Sequence, residues 1–131
     1  MIALDTNILI RFFMKDDPAQ VARVRAVMNS LTVEYPAWVG LAAVQELVWV
    51  LTSTYQANRA DVLLCIDSLL TMKEIIMEQP DVIRHAARIY QATKVEFSDC
   101  LISASARAAG CTRTLTFDQR AAKTAGMTLV P

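Results

Sequence analysis

Four acidic residues stand at positions where a small domain rarely places a charge. Asp5 follows the short apolar opening of the chain, and Asp118 ends the segment Thr114-Leu115-Thr116-Phe117. Glu46 and Asp99 also adjoin apolar runs. A carboxylate in apolar surroundings costs free energy unless it is paired, hydrogen-bonded or bound to a metal ion. We therefore expect the fold to gather the four carboxylates into one acidic metal site.

Glu46 is the most informative of the four. It is the only charged residue between Glu34 and Arg59. On a helix, a residue meets the side chains three and four positions away, and here these are Ala42, Ala43, Trp49 and Val50. No side chain of its own helix can therefore pair with Glu46. A solvated helix face would usually carry further charges, so the position favours a functional role.

The three aspartates each have a structural alternative. Asp5, in Asp5-Thr6-Asn7, and Asp118 are suited to cap the helices that follow them. Asp99 is suited to the first turn of a helix, beside a capping Ser98, where its charge complements the helix dipole. For each aspartate alone, both interpretations stay open.

The types of side chain indicate which metal such a site prefers. Carboxylate oxygens are hard ligands and favour Mg²⁺ or Mn²⁺. Cys65, Cys100 and Cys111 have no CxxC spacing, which argues against a zinc knuckle or a disulfide framework. Bound Mg²⁺ or Mn²⁺ activates water and stabilises charge on a phosphoryl group. The reaction class that fits is hydrolysis of a phosphodiester.

Composition limits the class of protein. The chain has 131 residues and predicts one domain, 1–131. Thirteen basic and thirteen acidic residues cancel, but outside the four acids the basic residues are in excess, which permits a polyanionic partner. A hydrophobic content of 54% favours a homodimer. No secretion signal opens the chain, and Gln45 and Glu46 interrupt its longest apolar stretch, so we expect a cytoplasmic protein without a membrane span.

Strand-like and helix-like segments alternate along the chain, which predicts an α/β fold with a mostly parallel central sheet of four to five short strands and helices on both faces. In such sheets the functional crevice lies at the carboxyl ends of the strands, where Asp5 and Asp118 are expected. The predicted strands are 2–4, 34–38, 73–77, 113–117 and 127–130. The predicted helices are 7–13, 18–31, 41–54, 59–70, 80–93, 98–109 and 119–124.

Four motifs in this order resemble those of PIN-domain ribonucleases, specifically toxins of the VapC type from bacterial toxin–antitoxin pairs. They are Leu4-Asp5-Thr6-Asn7, Gln45-Glu46-Leu47, Phe97-Ser98-Asp99-Cys100-Leu101-Ile102-Ser103-Ala104 and Thr114-Leu115-Thr116-Phe117-Asp118. The resemblance spans nearly the whole chain. The third motif departs mildly, because family members often have Ala where Ser98 and Cys100 stand, and neither change touches a carboxylate.

The resemblance implies a PIN-like fold and a metal-dependent endoribonuclease that is dimeric and is silenced by a small antitoxin. It implies that the catalytic carboxylates hold Mg²⁺ or Mn²⁺, and that Glu46 orients or deprotonates the attacking water. Supporting hydrogen bonds are expected from Thr6, Asn7, Ser98 and Thr116. The RNA is expected to be a transfer or ribosomal RNA.

Arg11, Lys15 and Arg120 follow the first and last acids closely and are candidates for contact with RNA phosphates, although as solvated helix residues they need no function. His85, the only histidine, is expected at or near the surface and not as a catalytic base.

The rival enzyme classes lack their signatures, since no Asp-x-Asp follows the first strand and no glycine loop is present. The serious alternative is a PIN fold that binds RNA or protein without cutting, and the presence of all four acids weighs against it.

Overall fold

The computed structural model describes all 131 residues, in seven helices and five strands. The helices are α1 (Thr6–Met14), α2 (Pro18–Ser30), α3 (Leu41–Ser53), α4 (Arg59–Thr71), α5 (Pro80–Ala92), α6 (Phe97–Ala108) and α7 (Gln119–Thr124). The strands are β1 (Ile2–Ala3), β2 (Ala37–Val39), β3 (Ile75–Met77), β4 (Leu115–Thr116) and β5 (Thr128–Leu129). The chain divides into two compact units, an N-terminal unit (Met1–Glu78) and a C-terminal unit (Gln79–Pro131).

The N-terminal unit contains a parallel three-stranded sheet in the order β1-β2-β3. Ile2 is in register with Ala37, which is in turn in register with Ile75. The unit also contains α1 to α4, and α1 packs against both α2 and α3. Fully buried aliphatic side chains from α1, α3 and α4 form its core, among them Leu9, Leu47, Leu51, Ile66 and Leu69.

The C-terminal unit is built on the packing of α5 against α6, followed by the parallel pair β4 and β5 with α7 between them. Tyr90 of α5 and Phe97 of α6 meet edge to face, with ring centroids 5.6 Å apart. Ile83, Cys100 and Ala104 are buried along the two helices. The unit thus holds α6 and β4, the two elements that carry the later acids.

Helix starts follow local sequence chemistry. Pro18 and Pro80 open α2 and α5, where a missing N–H is no loss. The side chains of Asp17 and Asn58 accept hydrogen bonds from the first turns of α2 and α4. These signals explain why the predicted helices lie within one or two residues of those observed.

The α/β class is confirmed, and every strand pairing is parallel. The prediction of one central sheet of four to five strands differs from the structure, which has five strands in two hydrogen-bonded sets of three and two. The strands are also shorter than predicted, because only two or three residues of each take part in the parallel pairing. The largest error is β2, which was expected at 34–38 and lies at Ala37–Val39.

None of the seven helices combines the length and the apolar character that a membrane span needs.

Candidate metal-dependent active site

Asp5 and Glu46 are linked through Thr6 in the N-terminal unit. Asp5 is the N-cap of α1, and its Oδ1 accepts a hydrogen bond from the backbone N–H of Thr6 at 2.7 Å. The Thr6 hydroxyl donates to Oε2 of Glu46 at 3.1 Å, across to α3. Thr6 is 4% exposed and is the one buried polar side chain of the chain. This buried hydroxyl holds the Glu46 carboxylate beside the start of α1.

The position of Glu46 depends on how α3 begins. Gly40 is the N-cap of α3 and has no side chain to satisfy the first N–H groups. The carboxylate of Glu78, which directly follows β3, accepts a hydrogen bond from Leu41 N–H at 2.7 Å instead. A carboxylate is well placed at a helix N-terminus because it faces the positive end of the dipole. Sequence reasoning missed Glu78, since its partner lies 37 residues earlier and no local pattern signals the contact.

The carboxyl of Asp99 is affected by the charge of Asp118 in the C-terminal unit. Asp99 lies in the first turn of α6. Burial raises the pKa of its carboxyl, and the negative charges of Asp118 and Glu96 raise that pKa further. Repulsion of the Asp99 carboxylate by neighbouring negative charges is what a bound cation would relieve.

Asp118 is the N-cap of α7, and its Oδ1 accepts from Ala121 N–H at 2.9 Å. The hydroxyl of Thr116 accepts a hydrogen bond from the backbone N–H of Asp118 at 3.0 Å, which fixes the turn between β4 and α7. The capping interpretations of Asp5 and Asp118 are therefore both confirmed. The expectation of a capping Ser98 was wrong, because α6 begins at Phe97 with Glu96 as its N-cap.

The four acids are less buried than the sequence suggested. Asp5, Glu46 and Asp118 are exposed, and Asp99 is half-buried. The apolar neighbours misled us at Glu46, because the outward face of α3 is itself apolar: Ala42 is exposed and Trp49 is 64% exposed. Charge in an apolar sequence run is thus a surface feature here, and a metal ion could reach the carboxylates from solvent.

The donor set fits a hard divalent cation only in part. No group of three or more His, Cys, Asp or Glu side chains is placed to hold a metal ion. The residues come instead as two oxygen-donor pairs, one in each unit, Asp5 with Glu46 and Asp99 with Asp118. Carboxylate oxygens without His or Cys are the ligand chemistry of Mg²⁺ or Mn²⁺.

The residues predicted to support the carboxylates or to contact RNA differ in their exposure. Asn7 is exposed and lines a small cleft of about 250 Å³ between α1 and α2. Ser98 is half-buried, and Lys15 and Arg120 are exposed.

Arg11, a candidate for RNA contact, is already engaged within the N-terminal unit. Its guanidinium donates to Asp16 at 2.9 Å, to the Tyr55 hydroxyl at 3.0 Å and to Gln20 at 2.6 Å. Tyr55 in turn donates to Asp16 at 2.7 Å. This network ties α1, α2 and the end of α3 together, so a structural role explains Arg11 without RNA. Its contact with RNA stays a prediction.

Comparison with known families identifies the class. The family model described as PIN domain matches residues 2–127, nearly the whole chain. The chain therefore belongs to the PIN-domain family, whose members are generally metal-dependent nucleases. No curated protein matches the chain.

Proposed function

We propose that this protein is a Mg²⁺- or Mn²⁺-dependent endoribonuclease, the toxin of a VapBC-type toxin–antitoxin pair that its cognate antitoxin inhibits. The observation that carries the proposal is that all four family acids are present in a chain that matches the PIN-domain model over 2–127. The linked pair of Asp5 and Glu46 adds support, because a buried threonine fixes the glutamate. A silent binding module has no need to retain every acid.

The carboxylates that would hold the metal are Asp5 and Glu46 of the N-terminal unit and Asp99 and Asp118 of the C-terminal unit. A Mg²⁺ or Mn²⁺ ion held there would supply a lowered pKa of bound water and positive charge beside the phosphoryl oxygens. Thr6 orients the Glu46 carboxylate, so that this carboxylate can position the attacking water and accept its proton. The water oxygen bonds to phosphorus as the bond from phosphorus to the 3′ oxygen breaks, and that oxygen takes up a proton. The products carry a 5′-phosphate and a 3′-hydroxyl.

The same proposal covers the partners. The substrate is a transfer or ribosomal RNA, and the protein is a cytoplasmic homodimer that also binds a small antitoxin. Exposed apolar side chains provide surface for such contacts, among them Trp49, Leu64, Ile102 and Phe117.

Cleavage of total bacterial RNA by antitoxin-free protein tests the catalytic part. We expect discrete fragments with Mg²⁺ or Mn²⁺, none with EDTA, and at least a hundredfold loss in Asp5→Asn, which keeps the fold but removes a ligand charge. Asp99→Asn is expected to behave alike. Asp67→Asn, on the exposed outer face of α4, is the matched control and should cut normally.

Normal cleavage by Asp5→Asn or Asp99→Asn would refute the assignment of these carboxylates. Absence of cleavage by folded wild-type protein that still binds RNA would favour the non-cutting PIN module. Co-purification of a short antitoxin encoded beside this chain tests the toxin role, and an active chain that no neighbouring product inhibits would contradict it.

A further inference from the structure

A second polar cleft lies entirely within the C-terminal unit. It has a volume of about 410 Å³ and is formed by α5, the second half of α6, the loop that leads into β4, and the end of α7 with the turn that follows it. Its lining includes His85, Ser103, Arg107, Arg113 and Thr114. An adjoining depression shares His85 and Arg107 and adds Arg88. We call the residues His85, Arg88, Arg107 and Arg113 together the basic cleft.

The three arginines of the basic cleft carry uncompensated charge. None of Arg88, Arg107 and Arg113 takes part in an ion pair, and all three are exposed. The one acid that lines the adjoining depression, Asp81, is already paired with Arg84 at 2.8 Å. Positive charge therefore accumulates there without a counter-ion from the protein.

The net charge of the whole C-terminal unit is also positive. The C-terminal unit has seven basic and four acidic residues, a net charge of +3, whereas the N-terminal unit has six basic and nine acidic residues, a net charge of −3. Burial lowers the pKa of His85, and the positive charges of Arg107 and Arg88 lower it further, in keeping with the three side chains lining the same region.

A helix dipole does not account for all three arginines. The carboxyl end of α6 carries a partial negative charge equivalent to roughly half an electron, and Arg107 in its last turn complements that charge. One guanidinium is enough for this role. Compensation of the α6 dipole therefore does not explain Arg88 on α5 or Arg113 beyond Gly110.

Two elements connect the basic cleft to the acidic pair of the same unit. Along α6, Asp99 and Arg107 are eight residues apart, about 12 Å at 1.5 Å per residue. Along the segment that contains β4, Thr114 and Asp118 are four residues apart, at most about 14 Å. A stacked strand that rises about 3.4 Å per phosphate along its helix axis covers this length in about four nucleotides, and a more extended single strand covers it in fewer.

We propose that the basic cleft binds the phosphate backbone of the RNA substrate within about four nucleotides of the bond that is cut. The proposal rests on the proposed function. Guanidinium groups suit this task because their planar donors match phosphate oxygens and stay charged at every physiological pH. Thr114, whose side chain carries a neutral hydroxyl, lines the same cleft. In this proposal the basic cleft binds the RNA strand, and the catalytic carboxylates cleave it.

Binding of fluorescent polyuridylate in Mg²⁺, measured over a range of salt concentrations on an Asp5→Asn background that prevents cleavage, tests the proposal. We expect Arg107→Gln/Arg113→Gln to bind at least tenfold more weakly. The slope of log K against log salt should fall by about 1.4, since each lost contact to a single strand is worth about 0.7. The matched control Arg25→Gln/Lys73→Gln removes two exposed charges from the N-terminal unit and should change neither quantity comparably.

Arg107→Lys/Arg113→Lys is expected to keep most of the salt slope, because it keeps the charge. Equal losses in the Gln variant and its control, or no loss in either, would overturn the proposal. If polyglutamate binds through these arginines while polyuridylate binding is unaffected, the partner is an acidic protein and the RNA proposal is wrong.

The two proposals fail separately because this experiment measures binding. A protein that cuts no RNA yet holds polyuridylate through Arg107 and Arg113 refutes the nuclease and leaves the basic cleft standing. Arg107→Gln/Arg113→Gln made in the chain with Asp5 intact, if it binds and cuts RNA like the wild type, refutes only the cleft. Circular dichroism of each variant confirms that the exposed substitutions leave the fold intact.

Discussion

At the scale of single residues, Thr6 is the side chain on which the candidate site depends most directly. Its position next to Asp5 resembles an ordinary turn, yet its hydroxyl is buried and points to Glu46 on another helix. A residue that orients a metal-binding carboxylate usually contributes 10- to 100-fold to affinity or activity. Thr6 therefore connects local helix capping to the proposed chemistry.

Replacement of Thr6 by valine keeps the shape and removes the hydroxyl. We expect Thr6→Val to lower the rate of RNA cleavage by about tenfold or more, with a weaker apparent affinity for Mg²⁺, because Glu46 loses its orienting donor. Cleavage assays across a Mg²⁺ titration measure both effects. Thr6→Ser retains the donor and should recover most of the activity. A valine variant with normal rate and normal Mg²⁺ dependence would show that the hydrogen bond has no role in the reaction.

At the scale of elements, the helices were predictable because their signals are local. Proline at the first helical position, capping Asp and Asn side chains and apolar periodicity all lie within one turn of the boundary they specify. The motif positions of the four acids were predictable for the same reason. The extent of β2 and the division of the strands into two sheets were not, because pairing in parallel sheets is decided by residues far away in sequence.

The exposure of Glu46 shows a second limit of sequence reasoning. From sequence alone, a helix face without charged residues is predicted to be buried. The apolar Trp49 strengthens that prediction for α3, although its side chain is exposed. The role of Glu78 was invisible for a related reason, since capping across 37 residues requires the tertiary fold. The sequence thus identified the four acids, whereas their exposure and the hydrogen bonds around them became known only from the structure.

The capping of α3 by Glu78 leads to a stability prediction. We expect Glu78→Ala to lower the free energy of unfolding by about 1 kcal/mol, the typical contribution of a helix cap. Urea denaturation followed by circular dichroism measures this difference. Glu34→Ala removes an exposed carboxylate and is the control. Equal midpoints for Glu78→Ala and Glu34→Ala would mean that solvent replaces the cap without cost.

At the scale of the whole molecule, His85 and Asp16 should each make stability depend on pH. The pKa of His85 is below its ordinary value of 6.5, so folding disfavours the protonated form, and stability should decline as the pH falls below about 6.5. The hydrogen bond from Tyr55 lowers the pKa of Asp16, and Arg11 lowers it further. The stability from Asp16 is present above its ordinary value of 3.8 and is lost as the pH falls through the lowered value.

Urea midpoints measured from pH 8 to pH 2 test whether stability is lost in these two pH ranges. His85→Gln should remove the decline that begins near pH 6.5 and leave the acid limb unchanged. Asp16→Asn should do the reverse, with a lower midpoint at neutral pH that converges with the wild type in strong acid. A wild-type midpoint that is flat between pH 7 and pH 5 would contradict the assignment to His85.

The shortness of the strands has a consequence for how this protein behaves at high concentration. Three of the five strands have two residues and the other two have three, so β1 and β3, at the edges of the N-terminal sheet, offer few unpaired backbone groups. Long exposed edges are the templates on which chains add to one another and grow into fibrils. A sequence that is 54% hydrophobic keeps most of its apolar residues in helices and so presents little of that template.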